Sequence, residues 1–328
     1  MHKPSCIKHN ILLADKTWFA TGGPAQYYAE PTTLHEFQAA LVYAQHNNLP
    51  VFMLGEGANI LISDAGYAGL VIRPQLNTIV HEKEYVIAQA GVSFADLITY
   101  CLEHQLLGLE EFSGIPGTVG GSVFINIHYF QYLLSNFLVG ARVIHKKTGA
   151  IKEVDNAWFN FGYDYSTLHK QEYYLFDATF KLTPCDQLQA AYARGRSVEI
   201  IRHRNNRYPN KGTCGSFFRN FHNDEVTLVS NGKKMIYVAY YLDKIGIKGQ
   251  LSIGDACVSY QHANMIVNQG NATSTDIISI ARAMQEKVWD HFNVLPQPEC
   301  QLIGFEDYPL LTVSSEPQAQ HQYPPVHP

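Results

Sequence analysis

Two glycine-rich segments constrain the fold of this chain more than any other feature. One is GEGAN, residues 55–59; the other is GIPGTVGG, residues 114–121, which leads into the apolar run SVFIN. Glycine gives up the most conformational freedom on folding, so a run of it implies left-handed dihedrals or a ligand lying against the main chain. A tight loop between two elements satisfies the same composition, and the second segment alone leaves both readings open. Neither segment carries the GK[ST] ending of a Walker loop, and neither is a good GxGxxG match. A glycine loop directly after a strand can offer backbone N–H groups to a pyrophosphate. Two such loops without a lysine fit a large, flat cofactor carrying a pyrophosphate, a dinucleotide and in particular a flavin.

Around these loops the hydrophobic spacing alternates between two periods. Thr33 and Glu36 stand at capping-box spacing, and Leu34, Phe37, Leu41 and Ala44 recur on one helical face. Pro50 ends that pattern, and VFML follows as a short buried strand running into GEGAN, an order that points to an α/β unit. Through about Leu182 strands dominate: GLVIRP, YVIAQAGV, SVFIN, LVGARVIH and YYLFDATFKL, interrupted by one helix, FADLITYCLEH. QLQAAYARGRSVEIIRHRNNRYP reads as a helix with a basic end, and a domain boundary is expected near it. MIYVAYYLDKIG is expected as a helix ending at Gly246, and ANMIVN as a strand. A last helix is expected from its cap Ser274, with Ile277, Ile280, Ala281, Met284, Val288 and Phe292 on one face. The end, SSEPQAQHQYPPVHP, is polar and proline-rich and is expected to lack fixed structure.

At 328 residues the chain is too long for one small core, and two or three domains are the natural expectation. With 46% hydrophobic and 16% charged residues it is globular rather than disordered. A net charge of −5 without a long basic run argues against nucleic acid as a main partner. No stretch is long and apolar enough to span a membrane, and the N-terminus lacks the pattern of a signal peptide. Cys6, Cys101, Cys185, Cys214, Cys257 and Cys300 show no CxxC pair, so they read as free thiols, with the cytoplasm as the expected compartment. The histidines show no HExxH or related spacing, and no metal is expected.

Three residues stand out chemically. Ser216, in TCGSFFRN, is no hydrolase nucleophile, because no GxSxG elbow surrounds it; a strand-start capping serine or a proton donor remain. Glu299, in PQPECQLIG, enters an apolar strand; if buried it would carry a raised pKa and could do acid or electrostatic work. His262, in YQHANMIVN, reads either as ligand-facing or, more commonly for such a residue, as satisfied within the fold.

TWFATGGPAQYYAEP, LGEGANILISDAGYAGLVIRP, GLEEFSGIPGTVGGSVFIN, FGYDYS, GSFFRN, HANMIVNQGNAT and PQPECQLIG occur in the order found in the UDP-N-acetylenolpyruvoylglucosamine reductase family. The resemblance covers nearly all of the chain up to about Ile303 and is closer to the shorter branch of that family. It implies an α+β or α/β fold: a vanillyl-alcohol-oxidase-type (PCMH-like) two-part FAD-binding domain plus a C-terminal α/β substrate-binding domain. The corresponding spans are 1–75 and 76–190 for the two FAD subdomains, 191–305 for the substrate domain, and 306–328 for a flexible tail. The activity implied is NADPH-dependent reduction of UDP-N-acetylglucosamine enolpyruvate to UDP-N-acetylmuramate in peptidoglycan precursor synthesis, by a cytoplasmic monomer holding FAD without a covalent bond. On this resemblance Gly55, Gly57, Ala58 and Asn59 form one cofactor wall. Ser113, Gly114, Pro116, Gly117, Thr118, Gly120 and Gly121 form the other. Ser216 takes the part of proton donor, Glu299 helps stabilise the enolate, and Tyr163, Asn220 and His262 contact the substrate.

Two departures from the family pattern matter. FGYDYS has Asp164 where the family has an arginine that pairs with the developing enolate, and loss of such a donor costs ~3 kcal/mol. Either the register slips locally, or another cation among Arg202, Arg204, Arg207 and Arg219 replaces it, or the activity is weak or redirected. After GGSVFIN the family continues with small residues, whereas this chain continues NIHYFQYLLSNF, whose Ile127, His128, Tyr129 and Phe130 require a rebuilt pocket wall. The rival expectations are a paralogue that binds FAD but has altered or lost reductase activity, and a non-catalytic flavin or nucleotide binder. The second rival has no need for Ser216 or Glu299.

Overall fold

The structure is a computed structural model and describes residues 3–312. Strands β1 (Ile7–Leu12) and β2 (Pro24–Ala29) pair antiparallel. Helix α1 (Leu34–His46) follows, with Thr33 Oγ1 accepting the Glu36 amide at 3.2 Å. The Glu36 carboxylate turns back to the Thr32 amide and hydroxyl, one residue earlier than a reciprocal box requires. Phe37, Ala40, Leu41, Tyr43 and Ala44 are buried, as the periodicity predicts. Strands β3 (Val51–Met53), β4 (Ile60–Ile62) and β5 (Tyr67–Ile72) complete this part. β5 runs parallel to both β2 and β3, giving the order β1-β2-β5-β3, while β4 is left for a partner from the far end of the chain.

The second part contains β6 (Ile79–Glu82), β7 (Tyr85–Gln89), α2 (Phe94–Glu103), β8 (Leu106–Leu107) and α3 (Val119–Phe124). It continues with β9 (His128–Tyr129), β10 (Tyr132–Leu133), β11 (Leu138–His145), β12 (Ile151–Asp155), β13 (Tyr173–Lys181), β14 (Thr183–Pro184) and α4 (Gln187–Arg207). An antiparallel sheet, β12-β11-β13-β7-β6, packs its inner face on α2 and α3 through Val86, Ala88, Phe94, Leu97, Val119 and Val123. SVFIN is therefore not a strand, as expected, but the end of a helix. Thr118 Oγ1 caps it by accepting the Gly121 amide, and Val119 and Val123, one turn apart, are both buried. In so short an apolar run, periodicity alone does not separate strand from helix.

Helix α4 starts with a reciprocal box between Asp186 and Gln189 and runs unbroken across 190/191. The expected domain boundary thus falls inside an element whose Ala193 belongs to the core of the second part.

The third part contains β15 (Val229–Ser230), β16 (Lys233–Lys234), α5 (Val238–Lys244), β17 (Ser252–Ile253), β18 (Ala256–Val258), β19 (Ile266–Asn268), α6 (Ser274–Phe292) and β20 (Gln301–Ile303). α6 covers the sheet β17-β18-β19 with Ile277, Ile280, Ala281, Met284 and Val288 buried. Its cap is Thr273, in a reciprocal box with Asp276, rather than Ser274. The Ser274 hydroxyl donates instead to Asp64 Oδ2 at 2.8 Å. β20 returns to pair in parallel with β4. The chain stays packed beyond 305, correcting the expected start of the tail: Leu310 is buried, and the Leu311 amide donates to Gln285 Oε1 at 2.9 Å. The proline-rich end lies outside the described residues.

Candidate active site

A cavity of about 560 Å3 opens where the three parts meet. Residues 55–59 leave β3 and line one side; residues 114–121 line another. The glycines of the second loop answer two different demands. A Cβ at Gly120 would lie 3.1 Å from the Ala90 carbonyl oxygen, because the start of α3 is docked against residues 90–92. There the Val119 amide donates to Val92 O at 2.8 Å and the Gly120 amide to Ala90 O at 2.9 Å. Those amides are spent on the protein and are not offered to a pyrophosphate. Gly117, with φ +149°, is different: a Cβ there would meet only Ser122 Oγ, at 3.7 Å, and would stand in open cavity.

The donor and acceptor chemistry of the walls fits a bound nucleotide cofactor. Asn59 Oδ1, Ser122 Oγ and His262 Nδ1, all in residues lining the cavity, are buried without a hydrogen-bond partner among the described residues. Buried polar atoms are normally satisfied, and a bound ligand is one way to satisfy them. Gly55, Gly57, Ala58, Asn59, Gly114, Pro116, Gly117, Thr118, Gly120 and Gly121 all line the cavity. Ser113 does not: its hydroxyl donates to Glu110 O and approaches Ser197 Oγ behind the loop.

Ser216 and Glu299 come together through main-chain bonds. The Glu299 and Cys300 amides both donate to Phe217 O, at 2.9 and 3.2 Å. The Asn264 side chain closes the other edge, accepting the Phe218 amide and donating to Phe218 O. Phe217 and Phe218 are fully buried and anchor the segment, with Ser216 lining the cavity. The Ser216 hydroxyl has no hydrogen-bond partner among the described residues. The GEGAN loop is stitched in by Asn59, whose carbonyl accepts the Gln301 amide at 3.1 Å. Burial pushes the Glu299 carboxyl well above the usual carboxylate range, helped by the charge of Asp164 and by Cys214. Burial likewise raises Tyr163, with Asp164 and Glu299 adding to the effect, so this phenol keeps its proton; Asn220 acts the other way. His262 is pushed down to about 4 by burial and by Arg207, so it is neutral at neutral pH, and its ring meets Tyr208 edge-on at 5.4 Å.

Asp164 lines the cavity. It is at the tip of a turn closed by Gly162 and Tyr165, with φ +52°. The turn is held by the buried Asn126, whose Nδ2 donates to Gly162 O at 3.0 Å and whose Oδ1 accepts the Ser135 amide at 3.0 Å. Asp164 Oδ1 lies 3.4 Å from His128 Nδ1, while Oδ2 is buried without a partner among the described residues.

Of the four arginines expected as replacements, Arg202 pairs with Glu199 in solvent, and Arg219 is bound by both oxygens of Glu225. Arg207 lies over Tyr208. Only Arg204 lines the main cavity, between Tyr129 and Tyr208 at 5.6 and 5.3 Å, with Nε donating to Gly114 O. Sequence reasoning missed Asn126, Asn264 and the role of His128. Only His128 carried a signal, as part of an atypical wall. Among the described residues no group of His, Cys, Asp and Glu could hold a metal, and no helix is long and apolar enough to cross a membrane.

Comparison with known proteins gives a consistent answer. Residues 25–155 match the FAD binding domain model, and residues 207–303 match the model of the UDP-N-acetylenolpyruvoylglucosamine reductase C-terminal domain. The chain is 34% identical over 302 residues to UDP-N-acetylenolpyruvoylglucosamine reductase of Trichormus variabilis, covering 91% of this chain and 86% of that protein. It is 31% identical over 308 residues to the enzyme of the same name from Clostridium botulinum, covering 92% and 95%. The crystal structure of UDP-N-acetylenolpyruvylglucosamine reductase (MurB) from Thermus caldophilus superposes with a TM-score of 0.73 at 26% identity, covering 91% of this chain and 99% of that one. With a flavin-binding portion, a C-terminal domain of this type and near end-to-end similarity, the chain belongs to the UDP-N-acetylenolpyruvoylglucosamine reductase family.

Proposed function

We propose that this protein reduces UDP-N-acetylglucosamine enolpyruvate to UDP-N-acetylmuramate with NADPH, using a non-covalently held FAD. The observation that carries the reading is that the Glu299 and Cys300 amides are bonded to the carbonyl of Phe217, the residue after Ser216, at a cavity that Ser216, Glu299 and two glycine loops all line. The names of the relatives support the same substrate. When bound, FAD supplies the hydride relay between NADPH and the enolpyruvyl double bond. Residues 55–59 and 114–121 would hold it, with Gly117 leaving the room a side chain would take.

The chain's own residues do the rest. The Ser216 hydroxyl is neutral at working pH and keeps its proton until negative charge develops on the neighbouring carbon. Glu299, in its acid form, donates a hydrogen bond to the developing enolate and adds no charge of its own. Tyr163 and Asn220, which both line the cavity, orient the substrate. Action as a cytoplasmic monomer is part of the proposal, and the free thiols are in keeping with the cytoplasm. The near end-to-end similarity to relatives named as this reductase does not favour a FAD-binding paralogue with altered or lost reductase activity, and a non-catalytic binder has no use for this assembly.

The test separates the two halves of the reaction. The holo-protein is reduced anaerobically with NADPH, UDP-N-acetylglucosamine enolpyruvate is added, and flavin absorbance is followed. Rapid reoxidation with formation of UDP-N-acetylmuramate is expected. Ser216→Ala should keep the NADPH step and slow reoxidation about 10²-fold or more. A wild-type flavin that stays reduced after substrate addition overturns the reading.

A further inference from the structure

His128 and Asp164 come from the two segments NIHYF and FGYDYS, and the fold brings them into contact. His128 opens the β9–β10 hairpin, and Asp164 stands at the tip of the turn held by Asn126. Nδ1 and Oδ1 are 3.4 Å apart, with the two side chains 28% and 11% exposed. The His128 ring also lies 4.7 Å from that of Tyr163. Its Nε2 has no hydrogen-bond partner among the described residues, and both His128 and Asp164 line the cavity.

The electrostatics of this wall pose a problem that the pair resolves. The reductase reading, on which this inference rests, requires an anionic carboxylate to bind beside Glu299. A second carboxylate in the same wall would repel it unless a cation stands between them. The basic side chains lining the cavity are His128, Arg204 and His262. Arg204 is held between two tyrosines with Nε on Gly114 O, and His262 is neutral. A smaller adjoining cavity at Asp164 and Glu299 adds His169, Arg219 and His222, of which Arg219 is held by both oxygens of Glu225. His128 is the basic side chain of the main cavity that is paired with Asp164.

We propose that His128, positioned by Asp164, is the subsite that receives the substrate carboxylate in this protein. Asp164 holds the ring as an ion pair at Nδ1, 3.4 Å away, and leaves Nε2 for the ligand. In the imidazolium form Nε2–H donates to a carboxylate oxygen; in the neutral form with Nδ1 protonated, Nε2 has no proton to give. Asp164 is the positioning residue, and His128 makes the contact. The other charged or titratable groups facing this corner are Tyr163 from the same turn, Glu299 ahead of β20, Tyr129 beside His128, Arg204 and Tyr208 from the end of α4, and His169, Arg219 and His222 in the smaller adjoining cavity.

Two ligands that differ in the carboxylate test this: UDP-N-acetylmuramate, which has it, and UDP-N-acetylglucosamine, which lacks it. Binding to the oxidised holo-protein is measured by calorimetry. His128→Gln should weaken the first ligand about tenfold, the loss of one charge-assisted hydrogen bond, and leave the second unchanged. Asp164→Asn should show the same selective loss. His128→Lys, which keeps a cation, should recover most of the affinity. Equal binding of UDP-N-acetylmuramate by wild type and His128→Gln overturns the subsite, as does a parallel loss for both ligands. Wild-type turnover of the enolpyruvyl substrate in the same preparation separates the two readings. Its absence removes the reductase reading and the subsite together, whereas turnover with an indifferent His128→Gln removes only the subsite.

Discussion

At the residue scale, burial moves two groups of the site in opposite directions, and each gives a pH signature. Glu299 is raised well above its ordinary 4.5 by burial and by Asp164, so the folded protein holds a proton that the unfolded chain has lost. The stability it contributes is therefore full below 4.5 and is lost as pH rises through the folded value. The same deprotonation removes the donor needed by the enolate, so substrate-driven flavin reoxidation should decline on the alkaline side. Glu299→Gln stays neutral at all pH; it should slow reoxidation, leave the NADPH step intact and abolish that alkaline decline in stopped-flow traces. His262 shifts the other way, from 6.5 in the unfolded chain to about 4 in the fold. The unfolded chain then binds more protons between those values, so stability present above 6.5 is lost as pH falls towards 4. Urea midpoints measured across that window should fall less steeply with acid for His262→Gln than for the wild type.

At the scale of elements, the two kinds of glycine in the second loop should separate by substitution. Gly117→Ala puts a side chain where φ is +149° and into the cavity itself, with a backbone cost of about 1–3 kcal/mol. Gly120→Ala presses instead on Ala90, behind the wall. Both should lower the melting temperature of the apo-protein, but flavin titration should show at least a tenfold weaker affinity only for Gly117→Ala. These glycines were legible as demanding bare backbone, and α1 and α6 were legible from their periodicity, because the reasons for those features are local. Where a long-range contact decides the outcome, sequence reasoning failed. Ser274 was expected as a cap because its partner Asp64 is 210 residues away, and Thr273 takes that place. Ser216 and Glu299 were legible by resemblance, but what holds them together, the Phe217 carbonyl and the Asn264 side chain, has no signature in spacing. Asp164 read as a defect because nothing near it in sequence reveals His128.

At the scale of the whole molecule, the third part does not stand alone. Its core includes Phe19 and Leu61 from the first part, β20 completes a ladder with β4, and Asn268 Nδ2 donates to Phe19 O at 2.8 Å. The strongest polar tie is at the start of α6. There Asp64 accepts the Ser274 amide at 2.9 and 3.1 Å and the Ser274 hydroxyl at 2.8 Å, and its own amide donates to Ser274 Oγ at 3.0 Å. A carboxylate at a helix N-terminus also meets the positive end of the helix dipole. Removing it leaves buried donors without their charged acceptor, a loss of about 2–3 kcal/mol. That loss falls on a junction and not within one core, so it should uncouple unfolding as well as lower stability. Trp18, Trp158 and Trp289 report on the first, second and third parts. In a variant retaining only Trp289, fluorescence and far-UV circular dichroism should unfold together in urea. With Asp64→Ala added, the Trp289 transition should move to lower urea ahead of the dichroism signal. A uniform shift of both signals would mean that the shared core of Phe19 and Leu61 holds the third part in place without the carboxylate.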